Sequence, residues 1–237
     1  MEQKKEIKPC LYLVPTPIGN LTDMTPRALS VLSSVDLILA EDTRVSNKLL
    51  LHFNIHKSLK SFHSQNEHKS LQAIIDKLKQ GLSIAIVTDA GTPGISDPAY
   101  LLVRSCRQEN IPVIALPGAT AFVPALVASG LPCDKFFFNG FLPQKKGRSS
   151  QLKFIANLNC TIILYESPHR LLKCLDELME HFGPEHLACF AKEISKIYER
   201  YFTGSFLEIK EQLKSEKIVG EWVICIAGNE TVSTKKK

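Results

Sequence analysis

The segment SIAIVTDAGTPGISDP, residues 83–98, joins an apolar run to a loop that is rich in glycine and proline. Its first six residues have the aliphatic and β-branched side chains of a buried strand. The next ten hold two glycines, two prolines and two aspartates, which is more than a tight turn requires. Glycine lets the backbone approach a ligand closely, and proline stiffens the loop. The segment therefore predicts a buried strand that ends in a binding loop.

The same alternation of apolar and amphipathic stretches extends in both directions from this segment. Predicted strands occupy residues 10–15, 36–40, 59–62, 83–88, 112–116, 135–141, 161–165, 187–191 and 222–227, with a hairpin arm at 197–203. Predicted helices occupy residues 25–34, 45–53, 65–80, 98–109, 119–129, 149–158, 170–182 and 206–214. Strands and helices that alternate with short connections favour parallel sheets.

The alternation restarts after residues 131–134 (LPCD), which places a domain boundary there. We predict an N-terminal α/β domain at residues 8–132, a C-terminal α/β domain at residues 133–230 and a basic tail at residues 231–237. Both domains are expected to contain mainly parallel sheets.

The composition excludes several classes of protein. The 237 residues are 44% hydrophobic and 22% charged, which is typical of a globular protein rather than a disordered one. We expect no membrane span and no signal peptide. The seven cysteines form no CxxC, and no histidine array is present, so we expect no metal site and a reducing, cytoplasmic setting. The net charge of +5 is compatible with a nucleic-acid partner, although part of it lies in the tails.

Each unusual loop follows a predicted strand. Ligands of open parallel sheets bind outside the carboxyl ends of the strands, so the loops of the first domain are expected to converge. The loops are PTPIGN (15–20), EDTR (41–44), DAGTPGISDP (89–98), PGAT (117–120) and, from the second domain, ESPHR (166–170). The first of them has a single glycine, which excludes the GxGxxG fingerprint of a Rossmann dinucleotide site.

Seven segments, in this order, resemble one bacterial family. They are VPTPIGNLTDMTPRAL, LILAEDTR, VTDAGTPGISDP, LPGATA, ASGLP, FFFNGFLP and YESPHRLL. Together they resemble the ribosomal RNA small subunit methyltransferase I family of the tetrapyrrole methylase superfamily, from about residue 11 to about residue 227. The loop PGAT departs from the expected PGPSA. Ser96–Asp97–Pro98 stands where tetrapyrrole-specific relatives have GDP, which favours the rRNA branch.

The resemblance implies two α/β domains with a cofactor cleft between them and S-adenosyl-L-methionine folded into that cleft. It also implies a homodimer whose product is a 2′-O-methylated cytidine in the decoding region of 16S ribosomal RNA, with the assembled 30S subunit as the expected substrate. The cofactor contacts that it implies are Pro17, Gly19, Asp89, Gly91, Ile95, Ser96, Pro117, Gly118, Ala119, Thr120, Tyr165 and Pro168.

The carboxylates at the strand ends are candidates for catalysis. A ribose hydroxyl is a weak nucleophile and reacts faster when a neighbouring base takes its proton. Glu41, Asp42 and Glu166 are the candidate acceptors. A structural alternative is open, because Glu41 or Asp42 is equally suited to cap the helix that follows.

Basic residues next to the same loops are candidates for RNA contacts, because lysine and arginine neutralise phosphates. They are Arg44, Lys145, Lys146, Arg148, His169 and Arg170. Two other functions are compatible with the fold: a methyltransferase of a small molecule of the tetrapyrrole-precursor type, and a non-catalytic module that binds nucleotide or RNA. The second leaves the glycine- and proline-rich loops without a use.

Overall fold

The computed structural model describes residues 7–229, and its strands form two five-stranded sheets. The chain divides into two compact domains between Thr120 and Ala121. Among residues 7–229, no helix is long and apolar enough to cross a bilayer. The predicted basic tail, residues 231–237, lies outside the described residues.

The first domain is the parallel α/β unit that the sequence predicts. Its strands are β1 (Leu11–Leu13), β2 (Leu37–Ala40), β3 (Leu59–Ser61), β4 (Ile84–Val87) and β5 (Val113–Ala115). Its helices are α1 (Pro26–Ser34), α2 (Thr43–His52), α3 (Glu67–Lys79) and α4 (Tyr100–Gln108). The strands are parallel in the order β3-β2-β4-β1-β5.

Helices cover both faces of this sheet. On one face Leu39 and Ile84 share a core cluster with Leu102 of α4. On the other face Ala85 shares a core cluster with Leu32 of α1. Burial on both faces explains why β4 is continuously apolar instead of alternating.

The second domain has a mixed sheet, which corrects the expectation of a mainly parallel one. It contains β6 (Phe136–Phe141), β7 (Thr161–Glu166), β8 (Leu187–Lys192), β9 (Arg200–Ser205) and β10 (Trp222–Ile226), in the order β6-β7-β10-β8-β9. Only β6 and β7 pair in parallel. The last strand lies between β7 and β8 and runs antiparallel to both. The predicted hairpin arm is β9, which pairs antiparallel with β8.

Four helices belong to the second domain. They are α5 (Phe122–Ala128), α6 (Arg148–Ile155), α7 (Leu171–Phe182) and α8 (Phe206–Leu213). The division between the domains precedes α5, whereas the boundary predicted from the sequence follows it, because α5 packs against β10 of the second sheet. No periodicity in α5 itself indicates which sheet it joins. The class of the fold, two α/β domains, is as predicted.

Candidate functional site

The loops at the carboxyl end of the first sheet are joined by hydrogen bonds. Thr16 and Gly91 exchange two backbone hydrogen bonds of 2.9 and 3.0 Å. The buried Thr16 hydroxyl donates to the carbonyl oxygen of Thr88 at 3.0 Å. Thr92 Oγ1 donates to the carbonyl oxygen of Ala119 at 2.9 Å. The loops that follow β1, β4 and β5 therefore form one connected surface.

Close packing against Pro15 explains why residue 118 of this surface is a glycine. A Cβ atom on Gly118 would lie 2.6 Å from Cβ of Pro15, so a side chain at that position would displace the first loop. In the neighbouring loop Ser96 has a φ of 65°, a left-handed conformation that few non-glycine residues adopt. Such strain is most often found at functional positions.

A group of carboxylates lies where β2 and β4 end. Thr88 Oγ1 donates to Glu41 Oε2 at 2.8 Å, and the Asp42 N–H donates to Asp89 Oδ1 at 3.1 Å. Burial, together with the negative charges of Glu41 and Asp89, raises the pKa of Asp97 to about 6, although a hydrogen bond with Thr88 partly opposes this. Burial is also the main reason that the pKa of Asp89 is raised. The site therefore has a negative potential that a cation would relieve.

Asp42 has the structural role that the sequence left open. Its side chain caps α2 by accepting the Arg44 N–H at 2.8 Å. The Arg44 guanidinium also binds both oxygens of this carboxylate, with the shortest contact at 2.6 Å. The hydrogen bonds from Arg44 hold the pKa of Asp42 well below its usual range. A carboxylate stabilised in this way is a poor proton acceptor.

Glu166, one of the three catalytic candidates, is an interior carboxylate. Its side chain is 1% exposed and pairs with Arg170 Nη2 at 2.7 Å. Arg148 Nη2 lies 3.6 Å from its other oxygen and 2.6 Å from Glu177 Oε2. A buried charge is retained only when it is paired, so this network holds the end of β7 and the start of α6 together.

The same network includes Arg148, one of the candidate RNA contacts. Its side chain is 9% exposed and also donates to the carbonyl oxygen of Pro143 at 3.2 Å. Burial alone would lower the pKa of Arg148, but the hydrogen bond to Glu177 and the negative charges around it, including those of Glu177 and Glu166, together outweigh burial and raise the pKa. Its neighbours Lys145 and Lys146 are exposed and fit the expected role.

The ESPHR segment ends β7 and forms a short 3-10 helix, Pro168–Arg170, before α7. His169 is exposed, and Arg170 is half-buried by its pair with Glu166. Tyr165 contacts two aromatic rings edge-on, those of Phe138 at 5.2 Å and Phe141 at 5.6 Å. An aromatic surface therefore lies beside the basic residues of this domain.

The remaining predicted cofactor residues lie in the loops of the first domain. Gly91 is buried, and Pro17, Ile95, Ala119 and Thr120 are half-buried. Gly19, Ser96, Pro117 and Gly118 are exposed. Helix α4, which follows this surface, starts at Ala99 without a side-chain cap.

Sequence reasoning missed four polar residues of this surface: Thr16, Thr88, Thr92 and Asp97. All four lie in or next to the loops quoted above. Their spacing alone does not show which of them are buried or paired. Among residues 7–229, no group of histidine, cysteine or acidic residues is arranged to hold a metal ion.

Comparison with known proteins agrees with this geometry. The model of the family described as Tetrapyrrole (Corrin/Porphyrin) Methylases matches residues 10–210. The ribosomal RNA small subunit methyltransferase I of Vibrio cholerae is 53% identical over 192 residues, which are 81% of this chain and 67% of that protein. The chain belongs to the ribosomal RNA small subunit methyltransferase I family. It is thus a tetrapyrrole methylase by fold and by sequence.

Other members of the methyltransferase I family match over similar lengths. The Escherichia coli O157:H7 protein is 46% identical, over 92% of this chain and 78% of its own. The Thermotoga maritima protein is 43% identical, over 93% of this chain and 99% of its own.

Several solved structures share the fold. Uroporphyrin-III C-methyl transferase from Thermus thermophilus, complexed with S-adenyl homocysteine, has a TM-score of 0.62 at 19% identity, over 94% of this chain and 99% of its own. A diphthine synthase has a TM-score of 0.70 at 11% identity, over 92% of this chain and 89% of its own.

Proposed function

We propose that this protein transfers a methyl group from S-adenosyl-L-methionine to ribosomal RNA of the small subunit. The acceptor is the 2′-hydroxyl of a cytidine in the decoding region, and the assembled 30S subunit in the cytoplasm is the substrate. The names of relatives that are 43–53% identical support the rRNA substrate. The homodimer implied by the resemblance is part of the proposal.

The cluster of carboxylates in the first domain is the observation that supports the binding of S-adenosyl-L-methionine. S-adenosylmethionine has a cationic sulfonium and an ammonium group, and Glu41, Asp89 and Asp97 provide the complementary charge. The raised pKa values of Asp89 and Asp97 show that their negative charges are not fully compensated, although Arg44 partly stabilises Asp89. When bound, the cofactor supplies a methyl group that is already activated for in-line displacement.

The loops of the first domain bind and orient this cofactor. Asp89 accepts hydrogen bonds from its ammonium group, and the uncapped start of α4 binds its carboxylate. Gly91, Ser96 and Gly118 bring backbone groups close to it. The other contacts that the family resemblance implies are Pro17, Gly19, Ile95, Pro117, Ala119, Thr120, Tyr165 and Pro168.

Glu41 and Asp97 are the carboxylates that accept the proton of the ribose hydroxyl in this proposal. A base works best when its pKa is near the operating pH, and the pKa of Asp97 is about 6. Asp97 is thus ionised at neutral pH but still basic enough to take a proton. Asp42 and Glu166 keep structural roles because both are committed to arginine partners.

Lys145, Lys146, His169, Arg170 and Arg44 bind the RNA in this proposal. The first three are exposed, and each lysine can neutralise one phosphate. Arg170 pairs with Glu166, and its side chain stays 27% exposed. The experiment that tests this set is the salt dependence of binding, since each lost phosphate contact on a single strand reduces the slope of log K against log salt by about 0.7.

The decisive experiment combines labelled S-adenosylmethionine with small ribosomal subunits from a strain that lacks the gene. A single ribose methylation on a decoding-region cytidine is the expected result. Asp89→Ala should weaken cofactor binding in calorimetry, whereas Lys210→Ala, in an exposed ion pair on α8, should not. Transfer to a tetrapyrrole precursor, with none to subunits or naked rRNA, would contradict the proposal.

A further inference from the structure

The loop between β8 and β9, residues 193–199 (EISKIYE), has no role in the function proposed above. We call it the hairpin tip. Two of its non-glycine residues have left-handed backbones, Glu193 with a φ of 54° and Ser195 with a φ of 64°. Such conformations cost free energy and persist only when the surrounding structure imposes them.

Ion pairs and hydrogen bonds impose this conformation. Glu193 Oε1 accepts from Lys196 Nζ and from the Glu221 N–H, both at 2.9 Å. Lys196 Nζ also lies 3.3 Å from Glu221 Oε2. A Cβ atom on Gly220 would lie 2.5 Å from Glu193 Cδ, so only glycine leaves room for this arrangement.

Glu193 and Ile194 of the hairpin tip thus turn inward, whereas Ile197 and Tyr198 point outward. Glu199 Oε2 accepts the Ser195 N–H at 2.6 Å, so this carboxylate also serves the loop itself. Ile197 is 94% exposed and Tyr198 is 74% exposed. A rigid loop that presents an aliphatic and an aromatic side chain to solvent gains nothing for its own stability from them, which is typical of a contact surface.

The strand register places the hairpin tip beside the candidate RNA residues. Trp222 of β10 pairs with Glu166 on one side and with Lys192 on the other. The carboxyl ends of β7 and β8 therefore lie at the same end of the sheet. They are separated by two strand spacings, or about 10 Å. Phe141, which precedes the Lys145–Lys146 loop, pairs with Tyr165 at this end as well.

We propose that the hairpin tip is part of the RNA-binding surface and that Tyr198 stacks on an unpaired base of the ribosomal RNA. This rests on the proposed function for the identity of the RNA. Exposed aromatic rings beside cationic residues are how proteins bind single-stranded RNA, since bases stack on the ring and phosphates meet the cations. The Lys145–Lys146 loop supplies those cations at this end of the sheet, together with Arg200, whose side chain is 61% exposed although it pairs with Glu216. Ile197 extends the apolar surface next to the ring.

The test measures equilibrium binding of purified small ribosomal subunits from a strain that lacks the gene. Tyr198→Ala should weaken binding by about tenfold, whereas Tyr198→Phe, which keeps the ring, should stay within about twofold of wild type. Leu207→Ala is the matched control, because Leu207 is a half-exposed apolar residue of α8 at the opposite end of the same sheet. The salt slope should be unchanged in Tyr198→Ala and smaller in Lys145→Ala, since only the lysine contacts a phosphate.

Equal binding by Tyr198→Ala and wild type would overturn the proposal, as would failure of the wild type to bind either subunits or naked small-subunit RNA. A dimer that becomes a monomer in Tyr198→Ala would show that the hairpin tip contacts a second copy of this chain, and would also overturn it. Calorimetry with S-adenosylmethionine and methyl transfer are measured separately. If subunits bind but are not methylated, only the proposed function is contradicted. The comparison of Tyr198→Ala with the wild type would still decide whether the hairpin tip binds RNA.

Discussion

The substitution Asp97→Asn removes a carboxylate whose ionisation destabilises the folded protein. The pKa of Asp97 is raised from 3.8 to about 6 by burial and by the charges of Glu41 and Asp89. The folded state therefore binds the proton more tightly than the unfolded chain does. The stability from this tighter binding is fully present below pH 3.8 and is lost as the pH rises through about 6. At pH 8 the ionised Asp97 destabilises the wild type by the full amount. The Asp97→Asn variant lacks this destabilisation.

The size of the effect follows from the shift. About two pKa units correspond to about 3 kcal/mol, and solvent screening of this partly exposed group reduces the expected gain to about 1–2 kcal/mol. For a chain of this length, that raises the unfolding midpoint by roughly 2–8 °C at pH 8. Thermal unfolding from pH 4 to pH 8 measures it, with the exposed Asp134→Asn as the control. The two proteins should converge near pH 4.

The same substitution tests the catalytic role. Without the carboxylate, methyl transfer should fall by a factor of about 10²–10⁴, as expected when a general base is removed. In the wild type, the transfer rate should rise as the pH increases through about 6, because Asp97 must be ionised to accept a proton. A variant whose stability gain over the wild type is no larger at pH 8 than at pH 4 would refute the electrostatic reasoning. A more stable variant with full activity would refute only the role as a base.

Three further predictions concern packing and charge. Gly118→Ala should destabilise the first domain by about 1–3 kcal/mol through overpacking against Pro15, measured by urea unfolding, and an unchanged midpoint would show that the loop simply moves. Arg148→Met should cost about 3 kcal/mol because it removes a cation from the buried Glu166, whereas Lys145→Met should cost almost nothing in the same experiment. In the native protein a thiol reagent should label the exposed Cys133 first and the five buried cysteines only after unfolding. Mass spectrometry measures the order of labelling. Early labelling of a buried thiol would contradict the packing.

The predicted elements correspond closely to those observed, because their signal is local. The run IAIV, residues 84–87, is apolar throughout and forms β4 between two other strands. The run at residues 161–165 forms β7 in the same way, although the strand extends one residue further, to Glu166. Loops at the ends of parallel strands must share one edge of the sheet, so the meeting of the loops after β1, β2, β4 and β5 also followed from the sequence.

The direction of the last strand did not follow from the sequence. Residues 222–226 predict a strand equally well in either orientation, and only the sheet shows that β10 enters between β7 and β8 and runs opposite to both. The same holds for α5, whose seven residues carry no mark of the domain on which they pack. Pairing partners far apart in the chain decide both features.

The pairing of the carboxylates with cations is the other feature that could not be predicted from the sequence. From sequence, Glu166 and Asp97 are two carboxylates in polar loops, and Glu166 is one of three catalytic candidates, with Glu41 and Asp42. In the fold Glu166 is buried between Arg170 and Arg148, while Asp97 lies near the like charges of Glu41 and Asp89. By itself the sequence determined the α/β class, the elements, the family and the loops that form the site. Only the tertiary structure decided which of their charges are neutralised, because a pKa depends on distances and burial that spacing along the chain does not specify.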